Sequence, residues 1–494
     1  MSSIRESKEY RTPPRHVDIR SRIVGIDREI PLLDGRRVRY VSLDNAASTP
    51  AFTDVMETIE RFIPYYSSVH RGTGFKSRLS TTAYEQAHEI IARFVGADPH
   101  TQTVIFGKNT TEAINKLSYR LGLQPDDVVI TTWLEHHSND LPWRDRGCRV
   151  VHVRATPEGR LDEDDFDSQL RAHAGRVRIV AMSAASNVTG FLQPIHRLAR
   201  KTHEAGALFL ADCAQLAAHA PIDMKPADDP EHIDFVALSA HKMYAPFGTG
   251  ALVGPKNVFL RSGPEYSGGG TVNIVTTDEV YWAGTPDREE AGSPNVVGAV
   301  AMAAAARALM EIGMENVRAH EHELLVETMK RFGDVPGIKI YGERDPARAG
   351  DKVGVIPFNL EGKSHFLVAA VLGYEGGIGV RSGCFCAHPY VVHLLGLAEE
   401  ERQSWRNQYL AGDKSHMPGM IRVSFGCYND AGDIDRLIEM LQRIARGDYR
   451  GDYRVDRRSG EFLPAGYIEP LKDFFLLETA PEGSEPSKGR YCGI

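Results

Sequence analysis

The sequence predicts an α/β fold, with a large domain on a mainly parallel sheet and a smaller α+β C-terminal domain. Three observations carry this expectation. From Leu43 to about Phe259, short β-branched runs alternate with helix-like stretches, as in strands joined by helical crossovers. Residues 293–332 then form a long, alanine-rich helical stretch. Beyond it, strand-like and helical pieces mix without strict alternation. A chain of 494 residues, 42% hydrophobic and 25% charged, has enough apolar material for two cores.

In chain order, residues 1–38 read as a charged, turn-rich arm leading into the run Val38–Leu43. The large domain is expected over 39–295. Its strands are expected at Thr103–Phe106, Val128–Thr132, Arg149–Val153, Val177–Met182, Leu208–Ala211 and Phe235–Leu238. Amphipathic spacing predicts helices at Ala83–Val95 and Pro194–Glu204. The small domain is expected over 296–445, with strand-like pieces at Lys352–Asn359, Gly379–Arg381 and Met420–Ser424, and helices at Ser364–Leu372 and Asp433–Ile444. Residues 446–494 read as a C-terminal extension, with Ala480–Arg490 expected to be disordered.

Composition narrows the function classes. Lys+Arg 58 against Asp+Glu 66 gives a net charge of −8, which argues against a phosphate-backbone binder and so against a nucleic-acid partner. No apolar run approaches the roughly 18 residues of a membrane span, and the mean hydropathy is −0.31. The polar N-terminus lacks the apolar stretch of a secretory signal. Six cysteines are too sparse for a disulfide scaffold, so reduced thiols and a cytoplasmic enzyme are expected.

The most informative segment is Ser239-Ala240-His241-Lys242, followed by Gly248-Thr249-Gly250. It places a lysine on the loop after a strand, the edge where open α/β sheets bind ligands. Asp212 closes the run Leu208–Ala211, 30 positions earlier. A lysine and an aspartate at neighbouring strand ends suit pyridoxal 5'-phosphate: the amine forms a Schiff base and the carboxylate keeps the ring nitrogen protonated. Taken singly, Lys242 reads more readily as a surface lysine and Asp212 as a helix cap; it is their combination that points to the cofactor. The stretch Gly107–Ala113 opens a helix and suits either a phosphate or a plain capping box. The pair His136-His137 is not assigned to a metal, because adjacent residues cannot share a helix face and no further ligand has the right spacing. An imidazole stacked on a cofactor ring fits better. The triple glycine 268–270 does not fit a dinucleotide-binding turn and reads as a loop near the active-site mouth.

These blocks resemble the class V, fold-type I pyridoxal-phosphate enzymes, and among them most resemble cysteine desulfurases and selenocysteine lyases. The resemblance runs from about Leu43 to Leu441 on LDNAAST (43–49), SVHRGTG (68–74), NTTEAIN (109–115), EHHSNDLPW (135–143), SNVTG (186–190), ADCAQ (211–215), SAHKMYAPFGTG (239–250), EAGSPN (290–295), VRSGCFCAHP (380–389) and IRVSFGCYN (421–429). It implies that Lys242 bonds the cofactor, Asp212 pairs with its ring nitrogen and Gln215 bonds its ring hydroxyl. By the same resemblance His136 stacks on the ring and moves protons, while Thr110, Thr111, Ser239 and His241 hold the phosphate. Ser293 would reach the phosphate of a partner subunit, which implies a homodimer. Asn187, Arg381 and Arg422 would hold the amino-acid substrate, Arg422 through a guanidinium–carboxylate pair.

The resemblance aligns Cys386 with the family's nucleophile, a thiol that takes sulfur from L-cysteine as a persulfide and leaves L-alanine, with a sulfur-acceptor protein as a further partner. The phrase Cys384-Phe385-Cys386 also resembles the desulfurase-like domain of molybdenum cofactor sulfurases, and leaves open which thiol is the nucleophile. A metal or redox pair at Cys384-x-Cys386-x-His388 is not assigned, since bridging so short a segment strains the ring. The alternatives are C–S lysis, selenocysteine lysis or epimerisation without a persulfide, and a cofactor-free scaffold.

Overall fold

A computed structural model describes residues 18–70, 72–261 and 263–477. Seven strands form the large sheet: β1 (Gln102–Gly107), β2 (Val128–Thr132), β3 (Arg149–Val153), β4 (Val177–Ser183), β5 (Leu208–Asp212), β6 (Phe235–Ser239) and β7 (Gly250–Pro255), in the order β1-β7-β6-β5-β4-β2-β3. All six expected strands are present, within a residue or two of their expected ends. The seventh, β7, runs antiparallel to both β1 and β6, and the other neighbouring pairs are parallel. Burial on both faces explains why the inner strands read as continuous β-branched runs rather than alternating ones; β2 and β6 are buried at every position.

Helices cover the sheet: α1 (Phe75–Phe94), α2 (Thr110–Arg120), α3 (Glu163–Ala172) and α4 (Ile195–Glu204). In α4 the buried residues Ile195, Leu198, Ala199 and Thr202 recur at helical spacing, which is the signal that made it legible. The alanine-rich stretch is two helices, α5 (Val296–Ile312) and α6 (Met314–Phe332), meeting at 76°. The break is at Gly313, whose φ of 87° lies where only glycine sits without strain. Among the described residues no single helix is long and apolar enough to cross a membrane.

A second sheet has the order β8-β9-β11-β10, from β8 (Ile338–Ile340), β9 (Val355–Leu360), β10 (Arg381–Gly383) and β11 (Met420–Ser424). It packs with α7 (His365–Gly376) and α8 (Ala431–Arg446). Asp430 caps α8 by accepting the Asp433 N–H at 3.0 Å, and Ile434, Leu437, Ile438, Leu441 and Ile444 fill its inner face. The expected strand Gly379–Arg381 splits. Ile378–Gly379 pairs in parallel with Val41–Ser42, and β10 turns to pair with β11. Residues 41–43 thereby join the second sheet's core, where Val41 and Leu43 are buried with Ile356 and Ile421. The polar connection before β11 holds an unanticipated helix, Glu399–Leu410, with no buried residue. Of the C-terminal extension, Tyr453–Val455 and Phe462–Pro464 form a hairpin; Ala480–Arg490 lies outside the described residues.

Candidate active site

The C-terminal ends of β1, β4, β5 and β6 surround a cavity of about 390 Å³, closed on one side by β10, β11 and the 384–387 loop. Lys242, Asp212, Gln215, His136, Thr110, Thr111, Ser239, His241, Asn187, Arg381, Arg422 and Cys386 all line it. Ser293 does not. It is exposed on the segment leading into α5.

The sheet explains the convergence. Ser183 pairs with Asp212 and Asp212 with Ala237 across β4, β5 and β6, so residues following these strands emerge side by side. Lys242 ends the short turn Ala240–Lys242 immediately after β6. Burial and the nearby Arg422 charge lower its amine to about 8, against the opposing pull of Asp212. Burial raises the Asp212 carboxyl, while the Ala214 N–H at 2.9 Å and the Lys242 charge act the other way. Arg422, also buried, has its cationic form disfavoured by desolvation.

The imidazole of His136 accepts the Ser138 N–H at Nδ1, at 3.1 Å. A neutral ring therefore carries its proton on Nε2. Burial, then the charge of Lys242, lowers its pKa to about 3, and His241 falls to about 4 for the same two reasons. Ser138 also bonds Thr111 Oγ1 at 2.7 Å, tying the histidine loop to the first turn of α2. That turn is capped by Asn109, which accepts the Glu112 N–H at 3.0 Å. Gly250 allows the close approach: a Cβ there would lie 2.5 Å from Asn109 Cα.

Arg381 and Arg422 face each other as a cross-strand pair. Asp44 bridges them, at 2.7 Å from Arg381 Nη2 and 3.0 Å from Arg422 Nη2. Like charges directly opposite each other destabilise a strand pair, and the carboxylate offsets this. The LDNAAST block contained Asp44, but nothing local signalled that it would meet residues more than 330 positions away. Asn187 donates to the Phe385 carbonyl at 2.8 Å, and Arg422 stacks over the Phe385 ring, 4.9 Å from its centroid. Both residues thus hold the thiol-bearing loop.

The two thiols differ sharply. Cys384 is buried, its Sγ donates to the Pro418 carbonyl at 3.2 Å, and burial pushes its pKa up to about 12. Cys386 is exposed on the cavity wall. Phe385 and Cys386 both have φ of 53°, an unfavourable region for L-residues, so the loop holds this thiol out at a conformational cost.

A further chain was not anticipated. Gln215 Nε2 bonds His219 Nε2 at 2.8 Å, and His219 Nδ1 bonds Glu321 Oε2 at 2.7 Å, all three side chains being buried. Glu321 comes from α6. The spacing of His219, four after Gln215, was the only sequence signal.

The donor set fits a phosphorylated aromatic aldehyde on independent grounds. Three buried polar atoms at the cavity lack a hydrogen-bond partner: Thr110 Oγ1, Gln215 Oε1 and Arg422 Nε. Buried polar groups are rarely left so; a phosphate and a ring hydroxyl would engage the first two, and the carboxylate of an amino-acid substrate the third.

Comparisons with known proteins identify the family. The chain is 33% identical over 409 residues to a cysteine desulfurase of Haloferax volcanii, covering 81% of this chain and 88% of that protein. It is 32% identical to a probable cysteine desulfurase of Vibrio cholerae, covering 82% and 93%. Among solved structures, the apo cysteine desulfurase of Thermococcus onnurineus superposes with a TM-score of 0.73 at 29% identity, covering 86% of this chain and 99% of that one. The Escherichia coli cysteine desulfurase CsdA gives 0.71 at 28% identity, covering 87% and 98%. Residues 41–437 match the family described as aminotransferase class-V; the chain belongs to the class V aminotransferase family, whose members are pyridoxal-phosphate enzymes.

Proposed function

We propose that the protein is a cysteine desulfurase that uses pyridoxal 5'-phosphate, transfers sulfur from L-cysteine to Cys386 and releases L-alanine. The observation that carries this reading is the placement of an exposed thiol on the wall of a cavity with a half-buried lysine and an arginine pair. When bound, the cofactor supplies an electron sink conjugated to the substrate α-carbon.

Lys242 is the attachment point, and an amine at about 8 has a substantial neutral, nucleophilic fraction near neutrality. Asp212 holds the proton of the ring nitrogen, and a cation there relieves the cost of its buried charge. Thr110, Thr111, Ser239 and His241 hold the phosphate beside the N-terminus of α2. Arg422 and Arg381, whose guanidiniums also hold Asp44, would bind the substrate carboxylate through their remaining donors. His136 would flank the ring with its Nε2 proton available, and Lys242 would carry the α-proton of the substrate. The Cys386 thiolate then attacks the substrate sulfur: an S–S bond forms, the C–S bond breaks, and its electron pair leaves with the carbon fragment. Protonation of that fragment gives alanine, and a thiol of an acceptor protein takes the sulfur from the persulfide.

Each site is completed in a homodimer by Ser293, whose exposure outside its own cavity suits a role across a two-fold interface. A nucleophilic thiol must stay reduced, which suits a cytoplasmic setting. The decisive experiment incubates the purified enzyme with L-cysteine and a reductant. Alanine with sulfide supports the reading. Pyruvate with ammonia indicates C–S lysis and overturns it. Borohydride should bleach the yellow band and leave the reduced cofactor covalently fixed to Lys242, and Lys242→Ala should lower turnover by more than about 10³-fold. Normal turnover in that variant would remove the mechanism.

A further inference from the structure

At the opposite edge of the large sheet, where β5 and β6 begin, three side chains converge without any part in the cavity. His203 sits in the last turn of α4, and His232 and Asp234 precede β6. His203 Nε2 lies 2.9 Å from Asp234 Oδ2, and His232 Nε2 lies 3.4 Å from Asp234 Oδ1. The ligand-capable atoms of all three lie within 4.8 Å of one another. The two imidazoles are stacked, with centroids 4.1 Å apart and planes 16° from parallel, so a shared ion requires one ring to turn out of the stack and bring its in-plane lone pair onto the ion.

The other ring nitrogens show why this cluster is more than an ion pair. His203 Nδ1 lies 3.0 Å from the Pro230 carbonyl, and His232 Nδ1 lies 2.7 Å from the Asp229 carbonyl. A carbonyl only accepts, so both Nδ1 atoms carry protons. In the neutral rings both Nε2 lone pairs therefore face carboxylate oxygens, acceptor against acceptor. A proton on either ring relieves one of these contacts; a divalent cation relieves both. Backbone bonds to the remote nitrogen are also how metal-binding histidines are oriented. Ligand atoms about 2.1 Å from a metal, at angles between octahedral and tetrahedral, are separated by about 3.0–3.4 Å, close to the two contacts seen here.

We propose that His203, His232 and Asp234 form a binding site for a first-row divalent cation, with water in the open positions. Two imidazoles and one carboxylate suit Zn²⁺ and its neighbours rather than Mg²⁺ or Ca²⁺. Both histidines are partly exposed, which gives the ion an entry path, whereas the Asp234 carboxylate is nearly buried and held by the Phe209 N–H at 2.8 Å. The adjacent Glu231 is already taken by Lys225 at 2.7 Å and Arg200 at 3.3 Å. The bound ion would pin the end of α4 to the entry of β6, a structural role separate from the reaction.

The test titrates ZnCl₂ into the holoenzyme after chelator treatment and alkylation of accessible thiols, so that Cys386 does not compete for zinc. Calorimetry should find one Zn²⁺ per chain. Affinity should fall by more than about 100-fold in His203→Ala, more than removal of an outer partner alone costs. His232→Phe should do the same while keeping the ring stack, and the visible cofactor band reports that each variant is folded. Equal affinity in wild type and both variants overturns the proposal, because the ion then binds elsewhere. Wild-type binding weaker than about 1 mM also overturns it, and leaves an ordinary histidine–aspartate pair.

Discussion

Burial sets the chemistry of the two neighbouring thiols in opposite directions. Cys384 is enclosed, with its thiol at about 12 and its proton given to the Pro418 carbonyl. Thiolate is the reactive form, so Cys384 is inert at neutral pH. Cys386 faces the cavity. Cys386→Ala should bind L-cysteine and shift the visible spectrum, yet release alanine more than about 10³-fold more slowly. Cys384→Ala should keep turnover within about threefold, with a stability loss of about 1 kcal/mol from the vacated volume. Mass spectrometry after one turnover should find one added sulfur on Cys386; sulfur on Cys384 instead would reverse the assignment. Full turnover in both variants would favour a lyase or epimerase over the persulfide route.

Among the elements, the junctions carry the consequences. Gly250 lets β7 pass against the cap of α2, and Gly250→Ala would place a methyl 2.5 Å from Asn109 Cα and 2.6 Å from the Leu238 carbonyl. The backbone around Thr110 must then move, and a phosphate held there loses its geometry. Pyridoxal phosphate titrated into the apo-variant should bind at least about tenfold more weakly, while circular dichroism remains native. At the α5–α6 corner, Gly313→Ala forces an L-residue to φ near 87°. The cost is about 1–2 kcal/mol, visible as a lower denaturation midpoint with turnover per folded molecule unchanged.

For the whole molecule, the buried neutral histidines make stability depend on pH. His136 titrates at about 3 when folded, against the usual 6.5 of an exposed imidazole. Between those values the unfolded chain binds more protons, so this contribution is complete above pH 6.5 and is lost as pH falls toward 3. Melting temperature should therefore drop steadily below pH 6.5, and His136→Gln should flatten the slope. An unchanged slope would place the titrating group elsewhere. Assembly is a second whole-molecule property. Sedimentation should give a dimer at assay concentration, and mixing Ser293→Ala with Lys242→Ala subunits should change activity relative to either alone. A fully active monomer would contradict the shared site.

The strands of the large sheet were legible in the sequence because burial on both faces forces β-branched runs, and α4 and α8 because one-sided burial imposes helical spacing. Lys242, Asp212 and the α2 entry were legible for a related reason: each ends its strand or follows it closely, so local order alone puts it at the strand-end edge. Cys386 and Arg422 were read through resemblance, since no local pattern ties them to that edge. Contacts between distant segments were not legible. The strand 379–381 looked continuous, yet it divides because Ile378–Gly379 finds Val41–Ser42 while Arg381 finds Arg422. Asp44 between two arginines, Glu321 behind Gln215, and His203 beside His232 are likewise meetings of remote positions. The resemblance already favoured Cys386, but the difference in burial between it and Cys384 waited on tertiary structure. Two residues apart in one phrase, they share the same composition and spacing, and only packing, by burying one and exposing the other, makes one thiol inert and leaves the other open to the cavity.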